Sequence, residues 1–261
     1  MKDITGTKLS TSQMLSSHLH HGINNLSLCL FLRYTRCMTT LTKFAHSCFT
    51  LTINGQSLVV DPGVYTDDFA MPQQVAVVLI THAHPDHYSP ALIKRIIQAF
   101  PEAEIISVDD IIVDNTTISL PEGTLSVRHA IAAMPGDTYQ IGPFTLEFFG
   151  GEHAVVSPHI PRLHNLAVLI NNRIYYPGDS FALPQRPIDV LALPVAAPWL
   201  KFSEVRSFLQ AVTPRLAFPV HDAILSDAGK GLVDTLCTAA ATEVGVEYQR
   251  FNITTLPQQD K

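Results

Sequence analysis

The feature that most restricts this chain is a cluster of metal-binding side chains set directly after a buried strand. Val75-Ala-Val-Val-Leu-Ile80 is a continuous apolar run rich in β-branched residues, as expected of a strand covered on both faces. It leads straight into Thr81-His-Ala-His-Pro-Asp-His87, after which Ser89 is placed to cap a helix and Pro90 to occupy its first position. The helix is expected over Ala91–Phe100, ending before Pro101. Extended residues two apart point the same way, so His82 and His84 can reach one ion together. The turn after Pro85 can re-aim Asp86 and His87 toward a neighbouring position. Imidazole nitrogen and carboxylate oxygen suit zinc and similar divalent ions, and α/β folds place ligands at the carboxyl ends of strands.

The flanking sequence supports the same class. Alternation in Cys48-Phe-Thr-Leu-Thr-Ile53, then Asn54-Gly55, then Ser57-Leu-Val-Val60 predicts a β-hairpin that closes at Asp61-Pro62-Gly63. Short strands are expected near Glu104–Val108, Thr117–Leu120, Leu125–His129 and Phe144–Phe149. A second hairpin joins Ala167–Ile170 to Arg173–Tyr176 through Asn171-Asn172, and Asp189–Leu193 and Leu216–Val220 read as buried strands. Helices are expected over Glu204–Val212, capped by Ser203, and over Gly231–Val244. No linker or low-complexity stretch divides residues 38–261, which read as one α/β domain.

Residues 1–37 differ in kind. They are rich in Ser, Thr, Asn and His and carry four basic residues against Asp3 alone. We expect a poorly ordered extension, translated from a start upstream of the one at Met38, so that His18, His20 and His21 are solvated tail residues. The whole chain has a net charge of −6, and the part after residue 37 carries −9, which argues against gripping nucleic-acid phosphates. No apolar run approaches the roughly 18 residues of a membrane span. The four cysteines show neither CxxC pairing nor the density of a disulfide scaffold and read as reduced thiols in a cytoplasmic protein, with Cys48 in the core.

Further candidates follow later strands: His153 after Gly150-Gly151-Glu152, Asp179 in Pro177-Gly178-Asp179-Ser180, and His221 after Phe218-Pro219-Val220. In this order, behind His82-x-His84-x-Asp86-His87, they resemble the metallo-β-lactamase superfamily of hydrolases. Phe44-Ala-His-Ser-Cys-Phe49 and the Asp61-Pro62-Gly63 turn are similar to the branch containing ascorbate-6-phosphate lactonase and the N-acyl-phosphatidylethanolamine phospholipase D enzymes. The resemblance spans residues 41 to about 250. It implies a four-layer αβ/βα sandwich with a two-metal site at one edge of its paired sheets. His82, His84 and His153 would hold the first ion, Asp86, His87 and His221 the second, and Asp179 would bridge them. The true β-lactamases lack that bridging aspartate, so antibiotic hydrolysis is not expected. Pro194-Val-Ala-Ala-Pro-Trp-Leu200 stands where the lactonase branch has a glycine-rich stretch.

The expected chemistry is hydrolysis by a metal-bridging hydroxide of an ester, lactone or phosphorylated small metabolite. Asp86 is expected to orient that nucleophile and accept its proton, with Asp61 and Asp222 in supporting positions. His46, near the pocket by resemblance, is a candidate for binding a substrate oxyanion, with a structural hydrogen bond as the competing role, and Trp199 for a pocket wall, with packing under a loop as the competing role. His159 and His164 are placed at the pocket edge and His129 on a surface strand. The metal is expected to be zinc, with manganese or iron as alternatives. Two other readings compete: a phosphodiesterase or nuclease of the same superfamily, and a non-catalytic metal-binding module. The partner is a small-molecule substrate, and a homo-oligomer is compatible with the resemblance.

Overall fold

Two asparagine turns set the frame. Asn54 and Gly55 take φ of 52° and 79°, joining β2 (Phe49–Ile53) to β3 (Gln56–Val60) as a two-residue hairpin. Asn171 and Asn172, at 52° and 53°, turn the chain between β12 (His164–Ile170) and β13 (Ile174–Tyr176), where Ile170 pairs with Ile174 and Arg173 completes a three-residue connection instead of opening the strand. The computed structural model describes residues 39–257, so the expected extension and the start at Met38 lie outside the described residues, as do Cys29 and Cys37. Thr39–Leu256 forms one unit.

The remaining strands are β1 (Thr39–Lys43), β4 (Val75–Leu79), β5 (Glu104–Ser107), β6 (Ile112–Asp114), β7 (Thr117–Leu120), β8 (Gly123–Ser126) and β9 (Ala130–Ala132). They continue as β10 (Thr138–Ile141), β11 (Phe144–Glu152), β14 (Val190–Pro194), β15 (Leu216–Val220), β16 (Glu247–Tyr248) and β17 (Ile253–Leu256). One sheet has the order β17-β1-β2-β3-β4-β5-β9, the other β10-β11-β12-β13-β14-β15-β16, and β6–β8 form a small third sheet. Each large sheet is antiparallel at one side and parallel at the other, the change falling at β3/β4 and at β13/β14. The sheets meet through Phe49, whose ring packs edge-on to Tyr176 at 5.6 Å and Phe218 at 5.8 Å. All three side chains are fully buried, and cutting Phe49 to Ala is expected to cost about 3–5 kcal/mol.

Helices occupy the outer layers. α1 (Pro90–Ala99) carries β4 to the parallel strand β5; Ser89 accepts the Leu92 N–H, and Leu92, Ile93, Ile96 and Ile97 are buried at helical spacing. α2 (Phe202–Val212) and α3 (Asp227–Thr242) share a core cluster with the second sheet, where Val205, Phe208, Leu209 and Ala241 meet Leu169, Tyr175 and Leu193. This is the αβ/βα sandwich expected from the sequence. Among the described residues, no helix is long and apolar enough to cross a membrane.

Three further local expectations need correction. α2 begins two residues early: the Glu204 carboxylate accepts the Lys201 N–H at 3.0 Å, which makes Lys201 the cap and places Ser203 inside the helix. α3 begins at Asp227 because Ser226 accepts the Gly229 N–H, so Gly229 and Gly231 lie within the first turns. Leu125–His129 is not one strand; β8 ends at Ser126, and His129 lies in the connection to β9 against Glu104.

Candidate metal centre

Strand ends supply every side chain of the site. His82, His84, Asp86 and His87 follow β4, His153 follows β11, Asp179 follows β13 and His221 follows β15. Two groups gather ligand atoms within 4.8 Å of one another: His82, His84, His153 and Asp179 in one, and His46, Asp86, His87 and His221 in the other. Asp179 lies between them. Its Oδ1 is 3.2 Å from His87 Nε2, and its Oδ2 is 3.3 Å from His153 Nε2 and 3.1 Å from His221 Nε2.

The outward nitrogens decide what faces inward. His153 Nδ1–H donates to the Ala154 carbonyl at 2.6 Å and His221 Nδ1–H to the Ala196 carbonyl at 2.5 Å. His87 Nδ1–H donates to Asp61 Oδ2 at 2.7 Å. His82 Nδ1 is 3.1 Å from Thr81 Oγ1, whose own hydroxyl donates to Asp61 at 2.7 Å, so the imidazole must be the donor. In all four rings Nε2 is left to turn inward, the arrangement that fixes metal-binding histidines. The Nε2 atoms of His87, His153 and His221 and Asp179 Oδ1 are buried without a hydrogen bond. Leaving four such atoms unmet is costly. His82 Nε2 and His84 Nδ1 stand 3.1 Å apart, close to the about 3.3 Å separating two tetrahedral ligands at ordinary zinc–nitrogen distances. The residues fit divalent metal ions.

His46 differs from the other rings in its group. Its Nδ1 accepts the Ala223 N–H at 3.3 Å, so Nε2 carries the proton and donates to Asp86 Oδ2 at 3.0 Å. It therefore holds a carboxylate in place and has no lone pair to offer an ion. Burial lowers its pKa, consistent with a neutral ring. Asp61 supports the other side, accepting from Thr81 N–H and Oγ1, His87 Nδ1 and Tyr176 OH at 2.7–2.8 Å. Trp199 is half-buried, and its Nε1–H donates to Asp179 Oδ2 at 2.9 Å. Asn165 accepts the Asp179 N–H at 2.9 Å and donates to the Pro177 carbonyl. Asp222, beside His221, is buried and held by Arg250 and Lys43.

Backbone strain collects here. His46, Asp61 and His221 have φ of 58°, 44° and 63°, a region that non-glycine residues enter at a cost. Gly63 is needed for a different reason: a Cβ there would lie 1.8 Å from the Asp86 carbonyl oxygen, so only glycine lets the Asp61-Pro62-Gly63 turn press against the His82–His87 loop.

Charge divides the two groups. Burial pulls His82 and His84 below the ordinary imidazole value. Burial acts the same way on His87, but Asp179 and Asp61 outweigh it and hold that ring well above the ordinary value. His221 is brought to about 9 by Asp179 and Asp86, again against burial. Asp179 and Asp86 lie well below the usual carboxylate range; burial would raise both, and the surrounding imidazoles outweigh it. In His87 and His221, whose Nδ1–H is committed outward, an entering ion would displace the proton on Nε2.

The other sequence candidates lie apart. His164 pairs with Asp109 at 2.7 Å in an exposed cluster, His159 is exposed, and Cys48 is fully buried as a free thiol. Thr81, Asn165 and Tyr176 escaped the sequence reading because each acts through a partner 14 to 115 residues away, or through a hydroxyl with no spacing signature.

A two-sheet αβ/βα sandwich with His/Asp groups at strand ends along one sheet edge is a metallo-β-lactamase fold. Residues 40–221 match the beta-lactamase superfamily domain, and the chain belongs to that family. The protein Rv0786c of Mycobacterium tuberculosis is 34% identical over 197 residues, covering 74% of this chain and 88% of the relative. A UPF0173 protein of Pyrococcus abyssi is 26% identical, covering 68% and 80%. Igni18, described as a metallo hydrolase of the hyperthermophilic archaeon Ignicoccus hospitalis, superposes with a TM-score of 0.63 at 18% identity, covering 85% of this chain and all of its own; it is similar in fold.

Proposed function

We propose that the protein is a cytoplasmic binuclear metal-dependent hydrolase of an ester, lactone or phosphorylated small molecule, its domain spanning residues 38–261. The observation that carries this reading is the set of inward, buried atoms with no hydrogen bond: Nε2 of His87, His153 and His221, and Oδ1 of Asp179. His82, His84 and His153 would hold one divalent ion and Asp86, His87 and His221 the other, with Asp179 placed to serve both. When bound, two such ions would supply a water of lowered pKa and Lewis acidity toward the substrate oxygen, zinc being the first expectation and manganese or iron the alternatives.

The chain's own residues do the positioning. Asp86 is the most solvent-accessible carboxylate of the site, its side chain 23% exposed against 4% for Asp179, so a water can reach it. His46 fixes one of its oxygens, leaving the other to orient the nucleophile and take its proton. The surrounding imidazoles hold the Asp86 carboxyl well below the ordinary range against burial, so it stays ionised to face an ion and orient a water. Trp199 and Asn165 hold Asp179 from both the side chain and the backbone. The Asp61-Pro62-Gly63 turn supports placement near the lactonase and phospholipase D branch.

The net charge of −6 weighs against the nuclease reading, and a carboxylate that water can reach, Asp86, favours a hydrolase over a non-catalytic metal-binding module. The test is turnover by the metal-loaded protein of lactones, p-nitrophenyl esters and bis-p-nitrophenyl phosphate. Hydrolysis of an ester or lactone that is lost in Asp86→Ala, with metal content retained, is expected. Turnover of the phosphodiester alone would favour the nuclease class, and no turnover at full loading would favour the module.

A further inference from the structure

Resting on the hydrolase reading, we infer that the substrate is a neutral ester, lactone or thioester bearing an apolar group beside the scissile bond, rather than a phosphorylated metabolite. Chain segments leaving the site turn large apolar side chains into solvent at once. Val64 donates its N–H to the Pro85 carbonyl at 2.9 Å, between His84 and Asp86, yet its side chain is 45% exposed. Tyr65 follows, its ring 5.1 Å from that of His46 and 46% exposed. The Ala154 N–H binds the Asp179 carbonyl at 2.8 Å, and the next residue, Val155, is 49% exposed. The Ala223 N–H binds His46, and the next residue, Ile224, is 50% exposed. Trp199 adds an indole 6.1 Å from His153 and 6.4 Å from His221. Apolar surface collected around a polar centre marks a place where a ligand is to be covered.

Charge points the same way. Residues 62–66, 154–156, 195–200 and 223–225 contain no charged side chain at all. Lys43, Lys230 and Arg250 line a cavity of about 230 Å³ that lies behind His46 and borders none of the seven proposed ligands; Asp222 already engages Lys43 and Arg250 there, and Asp234 engages Arg250. Arg162 is paired with Glu152. Within those four stretches a phosphate would find no guanidinium or ammonium to receive it, Lys201 standing just past Leu200, and the exposed edge of Asp86 would repel it. An alkyl or aryl group would be covered by Val64, Tyr65, Val155 and Ile224.

The test uses the metal-loaded full chain with p-nitrophenyl acetate, butyrate and octanoate, and with a phosphorylated ester of matched length. Specificity, kcat/KM, is expected to rise by about two- to fourfold per methylene, chiefly through KM. Calorimetry gives a second readout, in which octanoate binds more tightly than acetate with a negative heat-capacity change. Val155→Ser and Ile224→Ser, with metal content and melting temperature retained, should flatten both series. A flat series, or preference for the phosphorylated ester, would overturn the apolar substrate while leaving the hydrolase intact. A change of oligomeric state in the two variants with the series unaltered would instead make this surface an interface. No turnover of any ester, lactone or phosphodiester at full metal loading would overturn the hydrolase reading itself.

Discussion

The parallel strands β13, β14 and β15 carry charged clusters at both ends, and the two ends are built differently. At the amino-terminal end Asp189 receives Arg173 Nε on one oxygen and Arg215 Nε on the other, each at 2.7 Å. Every atom of that carboxylate is met. At the carboxyl-terminal end Asp179 and His221 sit with His87 and His153, and four of their buried atoms make no hydrogen bond. The same sheet therefore shows a closed network that serves structure and an open one that leaves room for ions. What distinguishes a functional cluster here is unmet demand among groups whose outer sides are fully tied down.

The sharpest way to break this contrast is Asp61→Ala. Its four donors come from Thr81, His87 and Tyr176, so removal strands buried polar groups across both sheets. We expect a loss of about 3–5 kcal/mol in chemical denaturation, and metal affinity lowered about 10–100-fold in titration of the folded fraction. Next is Asp179→Ala, which should drop turnover by about 100-fold or more and release at least one ion with the fold retained, read by metal analysis and circular dichroism.

The closed end should respond in the opposite sense. Asp189→Asn is expected to cost about 1–3 kcal/mol at pH 7 and to leave metal content and turnover unchanged. Burial acts to raise the Asp189 pKa, but Arg215 and Arg173 outweigh it and hold it below the ordinary 3.8. A depressed carboxylate stabilises the fold above its unfolded value and loses that contribution as pH falls through its folded value. The gap between wild type and Asp189→Asn should therefore be full at pH 7 and close as pH drops below 3.8, read by denaturation at each pH. The smallest effect is expected for Trp199→Phe, which keeps a ring near Phe181 but removes the N–H from Asp179. About a tenfold loss in metal affinity with unchanged melting temperature would place Trp199 among the residues that position the ligands.

Much of the open end was legible in the chain because its candidate ligands crowd together. Four candidate groups in the six residues His82–His87, behind an unbroken apolar strand, left few alternatives, and the order of His153, Asp179 and His221 completed the resemblance. The strands Thr117–Leu120 and Leu216–Val220 were readable to the residue because turn residues and apolar runs bound them on both sides. The closed end was invisible: Arg173, Asp189 and Arg215 are single charges at strand starts, joined only by the β13-β14-β15 order. The His46–Asp86 hydrogen bond was hidden for the same reason, spanning 40 residues and two loops, with a left-handed backbone at His46 that no local pattern announces. Edge strands such as β16 and β17, short and partly exposed, lack the apolar run that identifies a central strand.

Metal content per chain is the most direct measurement, by plasma mass spectrometry on protein purified without added metal or chelator and again after reconstitution with zinc or manganese. An open network of this form predicts about two equivalents, falling to about one or less in His87→Ala or Asp179→Ala and staying at two in Asp189→Asn. No bound ion after reconstitution of the folded protein would contradict it, and so would loading that ignores the loss of His87 or Asp179.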